Sequence, residues 1–267
     1  MIIGLKKCSC ITSVLLAVIF SCLLFAVQPT SLPTTQNGHT GLYKGIPKAD
    51  CPFEILPSAA YIVGYDEDSG NPAWVAYYIP PIPKKSQSGK RPSTFTVDSR
   101  TKAKITNQDY AKTGYDKGHM APNYAIGSRY GTNAQLETFL LSNICPQTPR
   151  LNRGIWKSLE SLVANQFAQK RGVWVVTGPL YGNRPTFIKE RIKKPCAFFK
   201  IIIALNKENQ PEALAFIIPQ NECSGNLENY LVNIDTIEAL SGINFFSDLP
   251  DDIEDKLESQ KACGFWN

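Results

Sequence analysis

Two apolar runs on either side of a polar segment place the strongest constraint on the fold of this chain. The runs 60–65 and 73–79 are rich in β-branched and aromatic residues, and the polar segment 66–72 separates them. This is the sequence pattern of a β-hairpin. Further runs of the same kind predict strands at 173–177, 198–205 and 213–218.

Apolar residues recur at helical spacing after residue 153. They are Ile155, Trp156, Leu159, Leu162, Val163 and Phe167, which fall on one broad stripe of a helix. The pattern predicts a helix over 153–169, and weaker patterns predict helices over 227–241 and 250–260. Because strands and helices do not alternate regularly, we expect an α+β fold with a mainly antiparallel sheet flanked by helices.

The first 28 residues differ from the rest of the chain. Lys6 and Lys7 precede an almost unbroken apolar run over 11–27, which is typical of an export signal. At 17 residues the run lies at the lower limit for spanning a bilayer, so a cleaved signal peptide and a retained membrane anchor both stay open. We therefore expect the protein to be exported: secreted, periplasmic or anchored outside the cytoplasm.

The remaining residues are predicted to form a linker and one domain. Residues 29–50 are rich in Pro, Thr and Gly, contain His39, and read as a flexible linker. The chain has 267 residues, 43% of them hydrophobic, which suffices for one buried domain over 51–267.

Five cysteines follow the export signal, an odd number that leaves at least one unpaired within the chain. Export permits disulfides. The absence of Cys-x-x-Cys units and the presence of only two histidines argue against a structural zinc site. The cysteines are Cys51, Cys145, Cys196, Cys223 and Cys263.

Charge is segregated along the chain, although the net charge is only +5. Residues 84–117 hold nine Lys/Arg against three Asp, and residues 184–200 hold six Lys/Arg against one Glu. After residue 205 there are 12 Asp/Glu against three Lys. This predicts a basic surface suited to phosphates and an acidic surface facing solvent.

The segments 115–122, 141–147 and 151–160 carry the residues best suited to phosphodiester hydrolysis. His119 offers an imidazole that can take a proton from water near neutral pH. A hard divalent cation held by oxygen ligands can neutralise charge on a phosphate, and Asn152 offers an uncharged oxygen. Taken singly, His119 could be a structural histidine and Asn152 a helix N-cap, so the argument rests on their joint pattern.

These segments resemble the DNA/RNA non-specific endonucleases, the His-Me finger family that includes mitochondrial endonuclease G and has a ββα-metal core with an Asp-Arg-Gly-His signature. Weaker similarity continues as far as residue 246. The matching residues, in order, are Asp116, Gly118, His119, Asn143, Pro146, Gln147, Leu151, Asn152, Trp156, Leu159 and Glu160.

The resemblance implies catalytic and metal-binding roles for four residues. His119 is expected to act as general base, with activity falling below roughly pH 6.5 as the imidazole is protonated. Asn152 is expected to be the direct protein ligand of Mg²⁺, with Mn²⁺ as an alternative, and Glu160 to hold water on that metal. A straight helix would separate Asn152 and Glu160 by about 12 Å, too far for both to bind one ion directly. Asn143 joins the catalytic set as a residue that supports the site by hydrogen bonding.

The residues next to His119 are expected to shape the site. Asp116 fixes the loop, and Gly118 supplies a backbone conformation that a side chain would oppose. Lys117, expected to take part in both catalysis and substrate binding, stands where the family has arginine, so a single point charge replaces a bidentate fork for phosphate. Arg91, Arg150 and Arg153 are candidate substitutes for substrate binding.

Two readings of function follow. The first is a metal-dependent endonuclease that hydrolyses DNA and RNA without sequence preference. The alternative, motivated by Lys117, is a nucleic-acid binding or uptake protein of the same fold with weakened catalysis. Expected partners are DNA and RNA, a membrane if residues 11–27 stay attached, and a second copy of the chain if a homodimer forms.

Overall fold

The computed structural model describes residues 41–83, 88–221 and 225–266. In these ranges the strands are β1 (Lys48–Ala49), β2 (Glu54–Pro57), β3 (Tyr61–Asp66), β4 (Asn71–Ile79), β5 (Asp116–His119), β6 (Ile144–Gln147), β7 (Val173–Leu180), β8 (Phe187–Ile188), β9 (Ile192–Lys193), β10 (Ala197–Leu205), β11 (Pro211–Pro219), β12 (Leu231–Val232) and β13 (Ile243–Asn244). The α-helices are α1 (Asn107–Tyr110), α2 (Asn123–Glu137), α3 (Pro149–Arg153), α4 (Ile155–Leu162), α5 (Ala168–Arg171), α6 (Ile234–Ser241) and α7 (Asp251–Ser259).

A seven-stranded antiparallel sheet forms the centre of the fold. Its strand order is β12-β11-β10-β7-β4-β3-β2, and the hairpin predicted from the first two apolar runs is formed by β3 and β4. The three further predicted strands are also present, as β7, β10 and β11, each extending beyond its predicted bounds. The predicted α+β class with a mainly antiparallel sheet is confirmed.

Both faces of the central sheet are covered, which explains why its inner strands are apolar along their whole length. Every residue of β7 is buried. One face packs against α2, α4 and the segment that follows α4, and the other packs against α6, α7 and the residues around Phe245. The covering helices on the first face also carry the residues of the candidate site.

The helix predicted over 153–169 is interrupted and begins earlier than expected. Thr148 caps α3 through its side chain and Pro149 occupies the first turn, where a missing N–H costs nothing. Gly154 then separates α3 from α4, because its backbone (φ −103°, ψ −116°) is not helical. A π-helical turn over Val163–Phe167 joins α4 to α5. Asn152 therefore lies inside α3, and the residue that caps the helix is Thr148.

Two further helix predictions have different outcomes. The helix expected over 250–260 is present as α7. The helix expected over 227–241 is wrong as a single element: a 3₁₀ turn over Leu227–Tyr230 and strand β12 precede α6, which begins after the N-cap Asn233. Pairing of β12 with the edge strand β11 prevails over local helical spacing there.

The lower boundary of the folded domain lies before residue 51. Tyr43 is buried against Trp174 and Phe246, and β1 pairs with β13. The predicted linker over 29–50 is therefore wrong for residues 41–50, whose aromatic anchor holds the segment on the sheet. Residues 29–40, the apolar run 11–27 and the rest of the predicted signal lie outside the described residues. Among the described residues, no helix combines the length and apolar character needed to cross a membrane.

The cysteines of the described ranges are free thiols. Cys145 is buried in β6, whereas Cys51, Cys196 and Cys263 are exposed. Cys223 lies outside the described residues, so the predicted odd cysteine is not assigned.

Candidate active site

The candidate site is built on a ββα unit that packs beside the main sheet. Strands β5 and β6 pair antiparallel, with His119 opposite Ile144 and Asp116 opposite Gln147, and α3 follows β6 after one residue. The short strands thus bring the segment 116–119 against α3, which carries Asn152.

Glycine is required at position 118 because a side chain would not fit there, and not because of its backbone conformation. Its φ is not among the positive values of the chain, so the expected conformational role is wrong. A Cβ atom at position 118 would lie 2.1 Å from Oε1 of Gln147, whose side chain is fully buried. Glycine lets Gln147 pack directly under the strand that carries His119.

Asn143 holds the chain that leaves His119. Its Oδ1 accepts from the amide of Ala121 (2.8 Å), and its Nδ2 donates to the carbonyls of Ala121 (3.1 Å) and Thr138 (2.9 Å). Asn143 is fully buried, and its backbone carbonyl also accepts from the amide of Met120. The predicted supporting role by hydrogen bonding agrees with these contacts, which make Asn143 a positioning residue.

His119 lies between two aromatic rings. Its ring centroid is 5.3 Å from that of Phe95 and 4.9 Å from that of Phe139, and Nε2 is buried with no hydrogen-bond partner among the described residues. Burial, followed by the positive charge of Arg91, lowers the pKa of His119 to about 3. The imidazole of the free protein is therefore neutral near pH 7.

Asp116 organises the metal-ligand candidate. Its carboxylate accepts from Nδ2 of Asn152 at 3.0 Å and from two nitrogens of Arg153 at 2.8 and 2.6 Å. The hydrogen bond from Arg153 holds the pKa of Asp116 below its usual range. Because Nδ2 of Asn152 donates to Asp116, the amide oxygen Oδ1 of Asn152 is the atom left for another partner.

Glu160 lies on α4 and is coupled to a buried lysine of the main sheet. One carboxylate oxygen of Glu160 is buried without a partner among the described residues. Nζ of Lys200 lies 4.5 Å from the ring of Trp156, one helical turn before Glu160, and 3.3 Å from the hydroxyl of Tyr77. Burial raises the pKa of Glu160, and the charge of Lys200 opposes that rise. Burial likewise lowers the pKa of Lys200, opposed by Glu160.

The site residues line one open cleft of about 540 Å³. His119, Asn152 and Glu160 contribute to its wall. The helix break at Gly154 places Asn152 on α3 and Glu160 on α4. Four positive side chains line the same cleft: Arg91, Lys117, Arg153 and Lys157. Arg150 is exposed and is not part of this lining. A basic cleft with amide and carboxylate oxygens can hold both a phosphate and a hard cation.

Lys117 is stacked on aromatic rings beside His119. Its Nζ lies 5.2 Å from the ring of Phe95 and 5.9 Å from that of Tyr110. The stacking orients the charge that replaces the family arginine. The guanidinium of Arg153 is paired with Asp116, whereas Arg91 and Lys117 line the cleft without an ion-pair partner among the described residues.

Comparison with known proteins agrees with this geometry. Residues 40–252 match the DNA/RNA non-specific endonuclease family. This chain belongs to that family. Human mitochondrial endonuclease G is 30% identical over 207 residues, covering 72% of this chain and 69% of its own. The Nostoc protein named Nuclease is 28% identical over 239 residues, covering 82% and 85%. This nuclease is therefore a hydrolase of a metal-dependent family.

A solved structure shows the same fold. The crystal structure of an EndoG/EndoGI complex matches this nuclease with a TM-score of 0.66 over 78% of this chain and 89% of that chain. Sequence identity is 24%, so this likeness bears on the fold alone.

Three contributors to the cleft region were missed at the sequence level. Lys157 follows Arg153 by four residues on the lining and could have been found from that spacing. Lys200 interrupts an apolar strand, a signal that marks a buried charge needing a partner. No pattern in the sequence around Phe95 marks it as a site residue. Its position depends on a tertiary contact, because its segment is joined to Leu140 by an isolated bridge formed at Thr96.

Proposed function

We propose that this nuclease hydrolyses internal phosphodiester bonds of both DNA and RNA without sequence preference, with His119 as general base and a Mg²⁺ ion held by Asn152. The observation that carries the proposal is the buried, unpartnered Nε2 of a neutral His119 in a basic cleft that also contains Asn152 and Glu160. Family membership supports the reaction class.

The residues of the cleft fit a hard divalent cation. Asn152 presents an amide oxygen, and Glu160 has a buried carboxylate oxygen without a partner. When bound, Mg²⁺ supplies positive charge that stabilises the phosphate and the departing 3′ oxygen, a service that Mn²⁺ also performs. Asn152 would hold the cation through its amide oxygen, and Glu160 would hold water beside it.

The chain's own residues perform the proton transfer and orient the phosphate. Neutral His119 accepts a proton at Nε2 from the attacking water, and the negative charge of the bound phosphate raises the pKa of the imidazole above its value in the free protein. Lys117 and Arg91 bind the phosphate oxygens, and Lys157 extends the basic surface along the substrate. Because these contacts are to phosphate, they carry no base preference.

Cleavage of supercoiled plasmid and of a folded RNA by the purified protein tests the proposal. We expect both substrates to be cut with Mg²⁺ or Mn²⁺, with activity abolished by EDTA while the circular dichroism spectrum is unchanged. Asn152→Ala should lose cleavage, whereas Asn165→Ala, which alters another amide of the cleft lining, should retain most of it. Binding without nicking would instead support a catalytically weakened binding protein.

We also propose that the chain is exported through residues 11–27. The support is the sequence pattern of a basic start followed by an apolar run. Fusing residues 1–50 to a reporter that is active only after export tests this, and retention of an inactive reporter in the cytoplasm contradicts it. Membrane anchoring predicts that the protein sediments with membranes, and a homodimer predicts twice the chain mass in sedimentation analysis.

A further inference from the structure

Three carboxylates converge between α6 and α7, away from the catalytic cleft. One oxygen from each of Asp235, Glu238 and Glu258 lies within 4.8 Å of the other two. Asp235 and Glu238 are three residues apart on α6 and so share a face of that helix. Glu258 lies in the last turn of α7. None of the three lines the cleft that contains His119.

Glu258 is buried in this cluster without compensation. Its exposed fraction is 6%, and its Oε1 is buried with no hydrogen-bond partner among the described residues. A buried carboxylate without a partner is costly to keep charged. Burial, followed by the negative charges of Glu238, Glu254, Asp235 and Asp255, raises the pKa of Glu258 to about 8. The neighbouring charges that raise the pKa of Glu258 are thus of its own sign.

Hydrogen bonds hold the cluster in place without using all of its carboxylate oxygens. Oε1 of Glu238 accepts from the amide of Phe245 at 2.7 Å, which fixes that carboxylate and leaves its second oxygen. Nδ2 of Asn233 donates to the carbonyl of Ser259 at 3.2 Å, so the start of α6 and the end of α7 are already joined. The carboxylates therefore face one another on elements that do not have to move to bring them together.

We propose that Asp235, Glu238 and Glu258 form a Ca²⁺ site, separate from the catalytic cation, which fastens α7 to α6. Ca²⁺ is bound by carboxylate oxygens at about 2.3–2.6 Å with flexible geometry and additional waters. Two ligands of one ion are at most twice that distance apart, so oxygens within 4.8 Å of one another need only small side-chain adjustments to bind one Ca²⁺ ion. Mg²⁺ bonds of about 2.0–2.1 Å would draw the same oxygens closer.

The alternative is a protonated Glu258 that shares its proton with a neighbouring carboxylate and binds no ion. This alternative also relieves the repulsion, but it predicts no response to Ca²⁺. Direct binding measurements therefore separate the two.

Isothermal titration of the purified protein with Ca²⁺ at pH 7 provides the test. We expect one Ca²⁺ per chain with a Kd in the range of about 10⁻⁴ to 10⁻³ M, and binding of Mg²⁺ at this site at least about tenfold weaker. Glu258→Gln keeps the shape but cannot release a proton to form the carboxylate that Ca²⁺ binds, and should weaken Ca²⁺ binding at least about tenfold. Asp252→Asn removes one charge from the same helix outside the cluster and should change the Kd less than about twofold.

Two further measurements distinguish Ca²⁺ binding at this cluster from binding at the catalytic cation site. The Ca²⁺ equivalent should persist in Asn152→Ala, because that substitution affects the catalytic cation and not this site. Amide hydrogen exchange over 251–259 should slow at least about tenfold on addition of Ca²⁺ in the unmodified protein and not in Glu258→Gln. Three results would each overturn the proposal: absence of Ca²⁺ binding up to 10 mM, unchanged binding in Glu258→Gln, or loss of the bound equivalent in Asn152→Ala. The limit of 10 mM is about ten times the weakest expected Kd.

Discussion

Gly118 and Gln147 approach so closely that a Cβ atom at position 118 would lie 2.1 Å from Oε1 of Gln147. Gln147 is fully buried and has little room to yield. Gly118→Ala should therefore lower the free energy of unfolding by about 1–3 kcal/mol, as overpacking of a buried site does. Urea unfolding of the purified protein measures this.

A double variant at positions 118 and 147 and a substitution at a second glycine serve as controls for this prediction. Adding Gln147→Ala to Gly118→Ala removes the colliding side chain and should recover part of the lost stability. Gly182→Ala, where a Cβ meets no atom within 4 Å, should have little effect. If Gly118→Ala is as stable as the unmodified protein, the close packing under His119 is not as the structure describes it.

The pKa of His119 should be measurable by NMR. Burial lowers it to about 3, so its imidazole resonances should not titrate between pH 8 and about pH 4.5. The chain has two histidines, and His39→Gln leaves His119 as the single signal. Phe139→Leu, which removes one ring of the enclosure, should move the midpoint toward the ordinary value of about 6.5.

The lowered pKa of His119 also determines how the stability of the fold changes with pH. The unfolded chain takes up a proton near pH 6.5 and the folded chain only near pH 3, so His119 reduces stability progressively as the pH falls through that window. His119→Asn should make the loss of stability toward acid pH shallower. A titration midpoint near 6.5 in the folded protein would contradict the enclosed environment.

Lys200 should control the ionisation of Glu160. Lys200→Met removes the charge that opposes the burial of Glu160, so the pKa of Glu160 should rise further. Cleavage at pH 7 should fall roughly tenfold, which corresponds to a pKa change of about one unit, and should recover as the pH is raised to 9. Rate profiles from pH 5 to 9 measure the shift, with the exposed Lys170→Met as control.

An even loss of rate at every pH in Lys200→Met would indicate a purely structural role for Lys200. Recovery of the original profile in Lys200→Arg would support the charge as the active feature, because arginine keeps the positive charge at all these pH values.

Lys117 is the position where this chain departs from the family signature. If its charge binds a phosphate oxygen, Lys117→Ala should slow cleavage by roughly 10- to 150-fold, the value of one charge-assisted hydrogen bond of about 1.5–3 kcal/mol. Lys117→Arg should leave the rate unchanged or raise it, since a guanidinium can hold two oxygens and stacks on Phe95 equally well.

Single-turnover rates and substrate affinities of both variants on the same duplex check this. The loss should appear in the rate more than in the affinity, because the contact strengthens as charge builds up on the phosphate. Equal rates for alanine and lysine at position 117 would show that the side chain only neighbours His119.

The sequence predicted the sheet and the main residues of the site because both depend on patterns within short segments. Strands β3, β4, β7, β10 and β11 are long apolar runs, and family resemblance picked out His119, Asn152 and Glu160 together. Helix α2 was missed, since several of its buried residues are polar, which obscures an apolar stripe at helical spacing, and its backbone is kinked at Gly131.

Features that depend on tertiary contacts were not predictable. The interruption at Gly154 places Asn152 within α3, and the enclosure of His119 by Phe95 and Phe139 comes from chain segments remote from position 119. The low pKa that follows from this enclosure could not be read from neighbouring residues in sequence.

The general-base role of His119 is the central claim, and one measurement addresses it directly. Single-turnover cleavage of one duplex and one RNA by His119→Ala, with Mg²⁺ at saturation and binding measured in parallel, separates chemistry from affinity. We expect the rate on both substrates to fall at least about 100-fold, the usual size of a general-base contribution, while the affinities change less than about threefold. Cleavage at a near-unmodified rate, with unaltered folding and binding, would contradict the account.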